Sequence, residues 1–146
     1  TLGKEKGSLV MDDFNASMFI AGSGMRAQGM RLRVISENIA NADSTASTPG
    51  GDPYRRKVIT FKNKMDEALG ADVVQVKQIG EDNSDFDLKF DPAHPAANED
   101  GYVLLPNVST LVESMDMREA NRSYQANLRV VETAKGMFAQ TVSILR

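Results

Sequence analysis

From Phe14 onward the apolar positions return every three or four residues. Phe14, Met18, Ala21, Met25, Leu32, Ile35, Ile39 and Ala42 fall on one stripe, with Gln28 as its polar member. That spacing is a heptad seam of about four repeats. It predicts a helix from Asp12 to Asp43, opened by Asp12 and Asp13 where negative charge suits a helix N-terminus. Gly22, Gly24 and Gly29 interrupt it, each costing about 1 kcal/mol relative to Ala, so the helix needs a partner for its stripe. After Pro106 a second stripe follows: Met117, Tyr124, Leu128, Val131, Phe138, Val142 and Leu145. Asn121 and Lys135 interrupt it, and Ala120 and Ala134 widen it and permit close approach. At the rise of an α-helix the two segments reach about 48 and about 60 Å. Both lengths exceed an ordinary globular helix and point to coiled-coil-like packing.

Between the stripes the period changes. Lys57–Phe61, Asp72–Val76 and Asp85–Phe90 are rich in β-branched or aromatic residues. In the last, Phe86, Leu88 and Phe90 alternate with Asp85, Asp87 and Lys89, the pattern of a half-exposed strand. Asp91–Gly101 is a loop by its Pro, Asn and Gly content, and Tyr102–Pro106 is a short strand leading to the second helix. The expected fold is α+β: long N- and C-terminal helices forming a coiled-coil-like layer, with a small β-rich insert. The divisions are an extension over 1–10, a helix over 11–43, a linker and β-rich insert over 44–106, and a helix over 107–146. Residues 1–10 precede a Met suited to natural initiation, and are expected to be an upstream extension or a cloning remnant.

Composition narrows the function classes. Seventeen basic against twenty acidic residues give a net charge of −3 without blocks of one sign, which argues against nucleic acid as a partner and against a polybasic membrane anchor. No apolar run reaches the length that spans a bilayer, so direct membrane insertion is not expected. There is no Cys and no Trp; disulfides, thiolate chemistry and Cys-based metal sites are excluded. The N-terminus lacks the apolar core and cleavage pattern of a secretory signal.

Candidate chemistry is sparse. His94 is the single histidine, set between two prolines, and a metal would need further ligands at workable spacing. Asp82, Asp85, Asp87 and Asp91 lack the glycine and terminal glutamate of a calcium loop. The glycines near Pro49 follow a helix and lack the Lys-Ser/Thr ending of a phosphate loop, and Ser23 has no base beside it. Neither a catalytic site, a cofactor nor a metal is expected. The side chains that call for partners are instead the two stripes. Val34, Asn38 and Asn41 form a file beside the first, and Arg118, Arg122 and Arg129 lie near the second. Polar files flanking an apolar seam suit a second layer of contacts.

Two segments carry a family resemblance. Asn15–Thr45, "NASMFIAGSGMRAQGMRLRVISENIANADST", resembles the N-terminal signature of bacterial flagellar rod and hook proteins, an amphipathic helix ending in N-x-A-N-x-x-[ST] at Asn38 to Ser44. Pro106–Leu145 resembles the matching C-terminal signature, with R-x-Y-x-A-N at Arg122 to Asn127. The spacer "STASTPGGDPYRRK" and the stretch Asp91–Val108 resemble the proximal rod branch in particular. The departures are the ten residues before Met11 and a C-terminus expected at or slightly before the family's usual end. The resemblance implies a structural subunit of the periplasmic rod, not an enzyme. It implies export by the flagellar type III apparatus, and partners among other flagellar rod proteins and copies of itself. The terminal helices would form an inner tube that transmits torque and the insert an outer layer, with Glu37–Lys57 as the hand-over. The expected assembly surface is Met18, Met25, Leu32, Ile35, Asn38, Ile39, Asn41, Met117, Tyr124, Leu128, Val131, Phe138, Val142 and Leu145. Asn38 and Asn41, able to donate and accept, are expected to tie the helix end to neighbouring backbone. Rival readings are another axial subunit and a soluble coiled-coil adaptor with a β insert; an enzyme would have to turn on His94 or Asp85.

Overall fold

The absence of proline lets the first helix run far, through Gly22, Gly24 and Gly29. In the computed structural model, which describes residues 2–145 and their side chains from Met11 on, α1 spans Leu2–Ala40. It therefore begins well before Asp12 and Asp13, which lie inside it. The status expected for Thr1 to Val10 falls outside the described side chains. The order is then β1 Lys57–Asp66, β2 Ala71–Glu81, β3 Asp87–Phe90, β4 Tyr102–Leu105 and α2 Thr110–Ile144, so the fold is α+β.

The end of α1 is made by Asn41. Its backbone N–H reaches the carbonyls of Glu37 and Asn38 at 3.1 and 3.2 Å. Its side-chain amide donates to the Glu37 carbonyl at 2.9 Å, and its carboxamide oxygen accepts from the Ser44 hydroxyl at 3.0 Å. These bonds satisfy carbonyls that a helix end leaves without partners. Gly50, at φ 68°, and the buried Pro53 then forbid resumption of the helix. The Tyr54 N–H closes the loop on the Ser44 carbonyl at 2.9 Å.

β1 and β2 form one two-stranded sheet and β3 and β4 another. The turn between β1 and β2 is too short for a parallel crossover, so they form an antiparallel hairpin. Asp66 builds that turn: its carboxylate accepts from the N–H groups of Ala68 and Leu69 at 3.0 and 3.3 Å, with Gly70 at φ 61° completing it. Both strands extend past the apolar cores seen in sequence, because Asn63–Asp66 and Lys77–Gln78 are exposed or nearly so and carry no alternation. The β3–β4 pair is antiparallel, in the register Asp87–Leu105, Leu88–Leu104, Lys89–Val103 and Phe90–Tyr102.

The chain divides into two compact units: Thr1–Met30, Phe61–Lys77 and Ala120–Arg146 form one, Arg31–Thr60 and Gln78–Glu119 the other. In the first, α1 and α2 lie side by side and antiparallel, with small residues between them. Ala21, Ala120 and Ala134 are buried, and a Cβ at Gly24 would come within 2.7 Å of the Asn127 side chain. The hairpin docks on the same stretch of α1, where the buried Ser23 hydroxyl donates to the Ile20 carbonyl at 2.7 Å and accepts from the Val74 N–H at 3.3 Å. In the second unit the helices are again antiparallel, with Asn38 meeting Glu113 and Arg31 meeting Asp116 and Glu119.

The helix pairing buries only part of the apolar stripes. On α1, Ala21 and Ile35 of the expected seam are buried, but Phe14, Met25, Gln28, Leu32 and Ile39 are only half-buried and Met18 is exposed; Ala42 lies past the helix end. On α2 the buried positions are Glu113, Ala120 and Ala134. They share a heptad phase, so the helices meet along small side chains while larger ones flank the line. Small residues let two backbones approach closely, and contact area then comes from tight fit rather than from bulk.

Candidate functional site

The polar groups with the strongest demands gather where α1 ends, β1 begins, β2 ends and α2 begins, all within the second unit. Asn38 stands in the last turn of α1 and is 1% exposed. Its amide donates to the Lys57 carbonyl at 2.9 Å and to Glu113 Oε2 at 3.1 Å. Its oxygen accepts from the Lys57 N–H and the Tyr54 hydroxyl, both at 2.9 Å. Two donors and two lone pairs exhaust what a carboxamide can make. The Lys57 N–H can only donate, which sets the amide's orientation.

Glu113 has no exposed surface at all, 0%. A buried carboxylate is tolerated when paired and hydrogen-bonded; here Oε2 takes the Asn38 amide and Oε1 takes Arg56 Nε in an ion pair. Arg56 also faces Asp82 at 3.5 Å and Asp116 at 3.6 Å. Burial works to lower the guanidinium's pKa, but the hydrogen bond and charge of Glu113, with Asp82 and Asp116, raise it overall. The Arg56 N–H is held by Asn107 Oδ1 at 2.7 Å, and the Asn107 amide donates to the carbonyls of Asp82 and Ser84. Arg55 donates to the same two carbonyls and lies over the Phe86 ring at 4.2 Å. Burial is the first cause of a raised Tyr54 pKa, followed by the charge of Glu37.

Asp82 titrates on the rim of this network. The Ser84 backbone N–H, then the Ser84 side chain and the Arg56 charge, hold its carboxyl below the usual range. A depressed carboxylate pKa contributes stability that is present above the unfolded-state value and is lost as pH falls through the folded one. Asp82→Asn is therefore expected to lower stability at pH 7. The gap from the parent should shrink below about pH 4 and vanish at lower pH. Denaturant midpoints measured across that range check this; a gap that stays constant with pH would contradict it.

The arrangement is a mechanical joint. It fixes the direction in which the chain leaves a helix and re-enters as β structure. Among the described residues no group of three or more His, Asp or Glu could hold a metal ion. His94 is half-buried; its Nδ1 accepts from the Ala96 N–H at 3.0 Å and its Nε2 stands 3.4 Å from the Thr45 hydroxyl. The ring thus braces its own loop.

Of the side chains singled out in sequence, Ile35 and Asn38 are buried within the chain. Met25, Leu32, Ile39, Asn41, Met117, Tyr124 and Val131 are half-buried. Met18, Leu128, Phe138, Val142 and Leu145 are exposed, from 36% at Met18 to 78% at Leu145. Phe19 at 56% and Met137 at 50% join them, and a groove of about 520 Å³ between Phe14, Ser17, Val130, Thr133 and Met137 opens in the first unit. Sequence reading missed Tyr54, Arg56, Asn107 and Glu113. Only Glu113 carried a signal: it lies in heptad phase with Ala120 and Ala134, a charge placed on a seam.

Comparison with known proteins places relatives on both ends and over the whole length. Residues 18–46 match the family described as flagella basal body rod protein, and residues 99–144 match the family described as flagellar basal body rod FlgEFG protein C-terminal. The flagellar basal-body rod protein FlgC of Agrobacterium fabrum is 51% identical over 93% of this chain and 98% of its own length. The FlgC of Borreliella burgdorferi is 40% identical over 90% of this chain and 97% of its own, and that of Bacillus subtilis 37% over 88% and 95%.

Proposed function

Because this chain belongs to the FlgC family of flagellar basal-body rod proteins, we propose that it is a structural subunit of the proximal rod and that its work is mechanical. Relatives bearing the rod-protein name along nearly the full chain carry this reading. Copies of the chain and other rod proteins assemble helically through the terminal helices, in heterologous contacts that do not close and so build an open tube. Torque passes through lateral packing, and the site is the periplasmic rod, reached through the flagellar type III apparatus. The assembly surface is the set of stripe residues named from sequence less Ile35 and Asn38, which are buried within the chain. Its exposed members, Met18, Leu128, Phe138, Val142 and Leu145, are apolar area a monomer leaves in water. The joint at Asn38 and Glu113 ties the start of the insert to the end of α1 and the start of α2.

The test places the protein and probes its seam together. The chain is expected in purified hook–basal-body particles. Val131 is half-buried on α2, and an unpaired charge desolvated there costs several kcal/mol by rough estimate. Val131→Asp is expected in the culture medium or periplasm at near-normal level, yet absent from the particles. Entry at the normal level with swimming cells would remove the seam's role in assembly.

A further inference from the structure

The β3–β4 sheet carries its apolar side outward. Leu88 pairs with Leu104 and Phe90 with Tyr102 on one face, while Lys89 pairs with Val103 on the other. Val103 is 1% exposed, so on β4 this second face packs inward, while Lys89 opposite it stays exposed. Leu88 and Phe90 are each 64% exposed and Tyr102 is 43% exposed. Nothing inside the unit asks for this patch, yet it is held stiffly. Phe90 and Tyr102 meet edge to face at 5.2 Å. Asn98 takes the N–H groups of Asp100 and Tyr102 on its side-chain oxygen at 3.1 and 2.9 Å. Gly101, at φ 83°, brings the backbone so close that a Cβ would lie 3.0 Å from the Phe90 ring. A preordered apolar surface loses little entropy when it is covered. Around it Asp85, Glu99 and Asp100 are exposed, and none of them joins an ion pair among the described residues.

The same unit carries a complement. Leu111 and Met115, four residues apart on α2, are 72% and 62% exposed, and Arg118 follows on that face. The acidic residues of this stretch are already engaged: Glu113 and Asp116 face Arg56, and Asp116 and Glu119 face Arg31. Arg118 therefore presents its charge outward with no ion-pair partner among the described residues.

We propose that the outer face of β3–β4 in one copy receives the Leu111–Met115–Arg118 face of α2 in the next copy. The proposal rests on the reading of the chain as a repeating rod subunit, and it adds an outer contact to the one made by the terminal stripes. Apolar side chains cover apolar side chains, and the arginine meets the acidic rim, which fixes orientation and rejects the reverse docking. The two surfaces differ, so the contact is heterologous and propagates.

The chain has no cysteine, which makes the contact directly testable. Phe90→Cys and Met115→Cys each add one thiol at an exposed position. Hook–basal-body particles are purified from cells producing both variants, oxidised with a copper–phenanthroline complex and resolved without reductant. A disulfide-linked dimer is expected with the two variants together and not with either alone, and it should be lost when Arg118→Glu is added to the Met115→Cys chain. A dimer formed equally by one variant alone would show a self-facing contact and overturn the proposal. So would particles that contain both variants but yield no more dimer than a Lys62→Cys and Met115→Cys pair. Particles that lack the chain altogether overturn the rod reading itself, and this contact with it.

Discussion

Asn38→Leu is expected to lower the stability of the full chain by about 3–5 kcal/mol, the range found when one partner of a buried charged network is removed. Leucine has nearly the same volume, so the loss is not one of packing. It strips the Glu113 carboxylate of one of its two bonds, and it leaves the Lys57 N–H and carbonyl and the Tyr54 hydroxyl without their partner. Each buried polar group so abandoned costs about 1–3 kcal/mol. Against a total stability of about 5–15 kcal/mol, a change of that size alters how much folded protein exists. Urea unfolding of the purified chain measures it. A shift under about 1 kcal/mol, less than a single abandoned group costs, would mean that water replaces the amide and that the joint is soft. Tyr54→Phe, which removes one of the four bonds, should cost no more than about 0.5–1.5 kcal/mol.

Two glycines on one helix should respond in opposite directions. At Gly24 a side chain meets Asn127 across the helix pair, with Nδ2 2.7 Å and Cγ 3.1 Å from an ideal Cβ. Gly24→Leu must displace the Asn127 side chain and fit a large group between α1 and α2, and overpacking of this kind costs about 1–3 kcal/mol. At Gly29 nothing stands within 4 Å of the added Cβ. Gly29→Ala should therefore stabilise the isolated chain by about 0.5–1 kcal/mol through helix propensity and a less flexible unfolded state. Thermal unfolding of both variants beside the parent is the measurement. If Gly24→Leu unfolds at the parent temperature, the close approach of the helices is not a feature of the folded chain.

A side chain that destabilises and one that stabilises cannot be told apart from the letters at Gly24 and Gly29. The difference lies in what α2 brings opposite each. The same limit runs through the whole reading. By itself the sequence determined what depends on neighbours within a turn or a pleat. Periods of three and four marked two long helices, β-branched runs marked the strands, and Pro49, Gly50, Gly51 and Pro53 marked where the helix could not continue. It also carried the paired terminal signatures that later matched rod proteins across both ends. What tertiary structure alone decided is which side of each element faces inward. Of the stripes and their flanks, Ala21, Ala120 and Ala134 are buried while Met18, Leu128 and Phe138 stay exposed, because small side chains admit the nearer approach. Alternation in β3 marked a half-exposed strand without saying which face is covered, and in the fold Val103 is buried while Leu88 and Phe90 stay outside. Arg56 and Glu113 lie 57 residues apart, and only the folded chain brings them together. A charge becomes a structural centre when burial removes water from it and a partner from a distant element replaces that water, and no local pattern records the partner's arrival.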